Sequence, residues 1–108
     1  MIARNTAAEL GWLQQLAHRA PGEHPDPAAF VEGVLARLDA HGHTIDNRPL
    51  RALIREVEEE LLDVAGWSLL TLQVHHDASP TTRTMLREVS TLAALAHGLL
   101  TDCKAALP

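Results

Sequence analysis

The sequence predicts an all-α fold: a small four-helix bundle-like domain, residues 1–108, in which two shorter N-terminal helices precede two long ones. Three observations carry that prediction. The chain is 46% hydrophobic yet only 3% aromatic, with one Phe, two Trp and no Tyr, so Leu and Ala must supply the packing, which favours helices over a β-sandwich. Apolar residues recur at three- and four-residue steps through long stretches. Helix-entry signatures, Asp26-Pro27, Arg48-Pro49 and Ser79-Pro80, divide those stretches. At 108 residues the chain has room for one modest core and none for a separate substrate domain.

The first helix is expected over Asn5 to Ala20. Thr6 and Glu9 stand in capping-box spacing, and Leu10, Leu13, Leu16, Ala17 and Ala20 form its stripe. Pro21, Gly22 and Pro25 interrupt the pattern. Asp26 then offers an N-cap and Pro27 a first-turn proline. The second helix should bury Phe30, Val34 and Leu38, with Val31 and Leu35 alongside, and run to about Ala40, where Gly42 is placed to cap it.

Asp46-Asn47-Arg48-Pro49 leads into the longest periodic segment, with Leu50, Leu53, Ile54, Val57, Leu61 and Val64 on one broad side. Gly66 costs about 1 kcal/mol against Ala inside a helix, and suggests a close helix approach or a bend near Trp67. That helix should end by His76 or Asp77. Ser79-Pro80-Thr81 opens the last helix, expected to reach Ala106. Its stripe contains Met85, Leu86, Val89, Leu92, Ala93, Ala96, Leu99 and Leu100. Two long helices outrun their shorter partners, so the unmatched apolar surface predicts a homo-oligomer, in the simplest case a dimer.

Fourteen acidic residues oppose nine basic ones for a net charge of -5, which argues against DNA or RNA as partner. Cys103 is the only cysteine, so a disulfide framework is excluded and a reducing compartment fits. No apolar run approaches the roughly 20 residues of a membrane span, and the cytoplasm is the expected location.

The chemistry concentrates in Arg55-Glu56-Val57-Glu58-Glu59-Glu60-Leu61-Leu62-Asp63. At about 100° per residue, Glu56, Glu59, Glu60 and Asp63 share one sector of the helix and Glu58 points nearly opposite. Like charges at these spacings repel, and a divalent cation among them would relieve the repulsion. Mg²⁺, or Mn²⁺, suits such oxygen ligands. The alternative is a solvated face, partly stabilised by the Arg55–Glu59 pair.

Glu60-Leu61-Leu62-Asp63, continued through Trp67, resembles the E-x-x-D metal-binding helix of the all-α nucleotide pyrophosphatases of the MazG-like superfamily. The resemblance covers one helix. It implies a Mg²⁺-dependent nucleoside triphosphate pyrophosphohydrolase that releases a nucleoside monophosphate and pyrophosphate. Glu59, Glu60 and Asp63 would hold the metal, with Glu56 as catalytic base or further ligand. Arg51, Arg55 and Trp67 would contact the nucleotide, with Arg48, Arg83, Arg87 and Lys104 as further candidates for a phosphate clamp. The family's E-E-x-x-E motif on the preceding helix has no counterpart, because Glu32 and Asp39 stand alone there.

Two other chemistries have less behind them. His41 and His43 with His75, His76 and Asp77 offer transition-metal donors only if the fold joins them. Cys103, near the last apolar stripe, is expected to be buried rather than nucleophilic. The alternative function is a noncatalytic helical homodimer or small regulatory or interaction subunit.

Overall fold

The computed structural model describes residues 6–18, 24–45 and 48–108, with the backbone alone for residues 6–10 and 41–45. Among them are four α-helices and no strand: α1 Thr6–Ala17, α2 Pro27–Ile45, α3 Leu50–Val74 and α4 Pro80–Ala105. The all-α class, with two shorter helices followed by two long ones, is therefore as expected. The chain divides into two compact units, Met1–Arg48 and Pro49–Pro108. The Thr6–Glu9 capping box and the positions Asn5, Ala20, Pro21, Gly22, Asp46 and Asn47 fall outside the described residues, as do the side chains of Leu10, His41 and His43.

In the first unit α1 packs on α2, with Ala17 and Val31 buried. The predicted N-cap is present. An Asp26 carboxylate oxygen accepts the Ala29 backbone N–H at 3.1 Å, satisfying one of the amides that a helix start leaves over. The Asp26 N–H in turn donates to His24 Nδ1 at 2.9 Å, and the His24 ring leans on Phe30 with centroids 5.1 Å apart. α2 continues to Ile45, past the expected end at Ala40, so Gly42 lies inside the helix and does not cap it. One interior glycine costs about 1 kcal/mol. Pro49 is the stronger stop, since proline disfavours helical backbone in the residue before it.

In the second unit α3 and α4 form an antiparallel hairpin. Pro49 is extended, at φ -59° and ψ 149°, and its carbonyl accepts the N–H groups of Ala52 and Leu53. α3 runs unbroken through Gly66, where an added Cβ would meet nothing within 4 Å. The close approach anticipated there does not occur. At the turn, the Arg83 guanidinium donates to the carbonyls of Leu72 and His75 at 3.3 Å each. A cation thereby satisfies carbonyls that the end of α3 leaves exposed. Ser79 caps α4 as predicted, accepting the Thr82 N–H at 3.2 Å.

The hairpin is held by a seam with coiled-coil spacing. On α3 the residues turned to the partner are Ile54, Glu58, Leu61, Ala65, Ser68 and Leu72. Steps of four and three alternate along this row, the spacing that keeps one line of side chains against a neighbouring helix. On α4 the matching row is Arg83, Leu86, Ser90, Ala93, His97, Leu100 and Lys104. The middle of the seam is made of small residues, with Ala93 5% and Ser68 6% exposed. Ser68 is tolerated inside because its hydroxyl donates to Val64 O, one turn back, at 2.8 Å.

Candidate functional site

Each seam residue on the hairpin is preceded by a residue that points about 100° away round the helix. On α3 these preceding residues are Leu53, Val57, Glu60, Val64, Trp67 and Thr71, and Leu50 and Val74 extend the row. On α4 they are Thr82, Met85, Val89, Leu92, Ala96, Leu99 and Cys103. The rotation has the same sense on both helices and the helices run antiparallel, so both rows emerge on one side of the hairpin. Val57, Val64, Trp67 and Val74 are 49%, 40%, 69% and 62% exposed, and Met85, Leu92 and Leu99 are 60%, 58% and 71% exposed. A face two helices wide, built largely of big apolar side chains, stands in solvent.

The broad stripes visible in sequence are thus two rows pooled. Ile54 and Leu61 of the α3 stripe belong to the seam, and Leu50, Val57 and Val64 to the outer face. On α4, Leu86, Ala93 and Leu100 point inward while Met85, Val89, Leu92 and Leu99 point outward. Cys103 also lies on the outer side and is exposed, which corrects the expected burial.

The carboxylate sector of Glu56, Glu59, Glu60 and Asp63 occupies the back of α3, turned away from α4. Glu59, Glu60 and Asp63 are exposed and Glu56 is half-buried. The acids of α4, Glu88 and Asp102, lie off its seam and contribute nothing across the hairpin. Arg55 is exposed on the flank of α3 opposite the Trp67 side and Arg51 is exposed three residues before Ile54, in line with the seam row, so the proposed nucleotide contacts are not gathered on one face. Among the described residues no group of three or more His, Cys, Asp or Glu side chains is arranged to hold a metal ion. His75, His76 and Asp77 are exposed at the turn.

Glu58, set aside in the sequence because it points away from the cluster, meets partners on α4. Its Oε1 lies 2.7 Å from Lys104 Nζ. Its Oε2 lies 3.2 Å from the Thr101 hydroxyl, which shares its proton with the His97 carbonyl at 3.1 Å. The Lys104 hydrogen bond holds the Glu58 carboxyl below the usual carboxylate range, helped by Thr101 and opposed by burial. Lys104 and Arg83, both candidates for a phosphate clamp, are therefore engaged in holding the hairpin. The signal for Glu58 was its four- and three-residue spacing from Ile54 and Leu61; Thr101 had no local signal.

No family model matches the chain, and no curated protein or solved structure matches it. The MazG-like resemblance rests on the α3 motif alone. No helix among the described residues is long and apolar enough to cross a membrane.

Proposed function

We propose that this protein is a noncatalytic helical interaction module, acting through the outer face of the α3–α4 hairpin. One observation carries the reading: most positions of one row on each of two adjacent helices, on the same side, hold large apolar side chains that remain exposed. Contiguous apolar patches beyond a few hundred Å² are rare on monomeric proteins and mark interaction surfaces. The partner class is helical, because four- and three-residue spacing offers ridges and grooves that fit another helix pair. A reducing compartment such as the cytoplasm suits the single exposed thiol of Cys103.

The test is a pairing of assembly with chemistry. Light scattering on the purified chain should detect a defined oligomer, and a panel of nucleoside triphosphates with Mg²⁺ or Mn²⁺ should give no pyrophosphate release. Turnover that disappears in folded Glu60→Gln and Asp63→Asn variants would replace this reading with the pyrophosphohydrolase one, with Glu59, Glu60 and Asp63 on the metal and Glu56 as base.

A further inference from the structure

We propose that the occupant of the outer face is a second copy of this chain, the α3–α4 face of one protomer packing on that of its partner about a twofold axis to close a four-helix bundle. This deepens the interaction-module reading and rests on it. Three features of the hairpin select a second copy.

The first is area. Leu50, Val57, Val64, Trp67 and Val74 on α3, with Met85, Val89, Leu92 and Leu99 on α4, leave between 40% and 71% of their surface in solvent. Together they amount to roughly 1,000 Å² per protomer, so pairing two copies would bury about 2,000 Å², at the upper end of the range for stable specific complexes. The second is width and spacing. Both rows repeat at three- and four-residue steps, and the surface they form is two helices across. A single helix would cover half of it, whereas an identical hairpin covers all of it and pairs each row with an equally spaced one. A twofold axis permits this without leaving an unpaired copy of the face.

The third is the contrast with the other side of the hairpin. Residues that follow the seam positions there are Arg55, Glu59, Leu62, Gly66, Leu69 and Gln73 on α3, and Thr84, Arg87, Thr91, Ala94, Gly98, Thr101 and Ala105 on α4. Leu62 and Leu69 are exposed there too, but charged, small and hydroxyl side chains separate them, so the outer row is the more continuous apolar side.

One charged residue interrupts the proposed interface. Glu60 holds the row position between Val57 and Val64, where leucine would continue the stripe. The substitution Glu60→Leu therefore separates the two roles open to this residue. As an interface position it should bind the partner more tightly when apolar, and as a metal ligand it should lose function.

The experiment is sedimentation equilibrium on the full chain, with circular dichroism to confirm helix content. Wild type should be a dimer at micromolar concentration. Leu92→Glu should raise the dimer dissociation constant about a hundredfold or more and Trp67→Ala about tenfold, since a desolvated charge or a lost aromatic anchor weakens an interface core most. Leu62→Glu, on the other side, should leave the constant within about twofold. Glu60→Leu should lower it about tenfold, which keeps a folded readout available if Leu92→Glu loses its helix.

A folded wild-type monomer at about 100 µM, well above the Kd of specific complexes, would overturn the second-copy assignment. So would a dimer broken by Leu62→Glu and untouched by Leu92→Glu, or a Glu60→Leu dimer no tighter than wild type. The dimer broken on the other side leaves the interaction module standing with its face misassigned. A monomer that releases pyrophosphate with Mg²⁺ removes both readings.

Discussion

The two rows of the α3–α4 hairpin invert the usual relation between residue type and burial. The seam contains Glu58, Ser68, Ser90, His97 and Lys104 among its members, yet it is where the two helices meet. The row one residue earlier contains Val57, Val64, Trp67, Leu92 and Leu99, and it is exposed. Small residues let helix axes come close; Glu58 and Lys104 pair with each other and Ser68 bonds back to Val64 O, whereas the buried Ser90 hydroxyl has no hydrogen-bond partner. Ile54, Leu61, Leu72, Leu86 and Leu100 supply the seam's apolar volume on either side of its narrow middle, and the apolar side chains of the outer row stay in solvent. Apolar character alone therefore does not mark the hairpin's own contact, which is marked by four- and three-residue spacing and by the small volume of its middle.

The widest separation between the rows should come from truncating neighbours one turn apart. Ile54→Ala, at a buried seam position, is expected to cost about 2–5 kcal/mol. Val57→Ala, on the outer row, should stay within about 0.5 kcal/mol. Urea unfolding of both in a Leu92→Glu background keeps association out of the comparison, and equal losses would erase the distinction between seam and outer row.

Enlarging the narrow middle of the seam tests the same distinction from the other direction. Ala93 is 5% exposed, and Ala93→Leu should destabilise the hairpin by about 1–3 kcal/mol through overpacking. A thermal melt that is unchanged, or raised, would mean that the helices have room to spare there. At the closed end, Arg83→Met removes the two hydrogen bonds to the α3 carbonyls and should cost about 1 kcal/mol. Hydrogen exchange at His75 and Ala78 should accelerate in that variant, since the carbonyls Arg83 holds belong to the same turn.

The smallest effect is read as a dependence on pH. Glu58 titrates below its ordinary range when folded, so its contribution to stability is present above its unfolded pKa of about 4.3 and is lost as pH falls through the lower folded value. Denaturant midpoints measured from pH 6 down to pH 2 should fall less steeply for Glu58→Gln than for wild type. Parallel curves would remove the Glu58–Lys104 pair from the account of the seam.

Local signals in the sequence were the most legible. Asp26 and Ser79 are read as caps because their side chains serve amides three residues on, and the three proline-led entries follow from the fixed backbone of proline. Gly42 failed as a stop because an interior glycine is only weakly unfavourable, and Gly66 marked no contact because its missing side chain faces open space. The acidic motif on α3 was visible as chemistry; that its sector faces away from α4 depends on which side of α3 the hairpin uses. Cys103 could be assigned to a stripe but not to the inner or outer half of it, since adjacent rows differ by one residue.

By itself the sequence determined four helices, their order and two of their caps, because these depend on side chains acting within a turn of where they stand. It also determined that more apolar residues line the long helices than one contact can use. Tertiary structure alone decided which row became the seam. Glu58 meets Thr101 across a separation of 43 residues, and Lys104 reaches it over a similar span. Only the antiparallel closure of α3 on α4 brings those groups together, and that same closure turns the larger apolar residues outward.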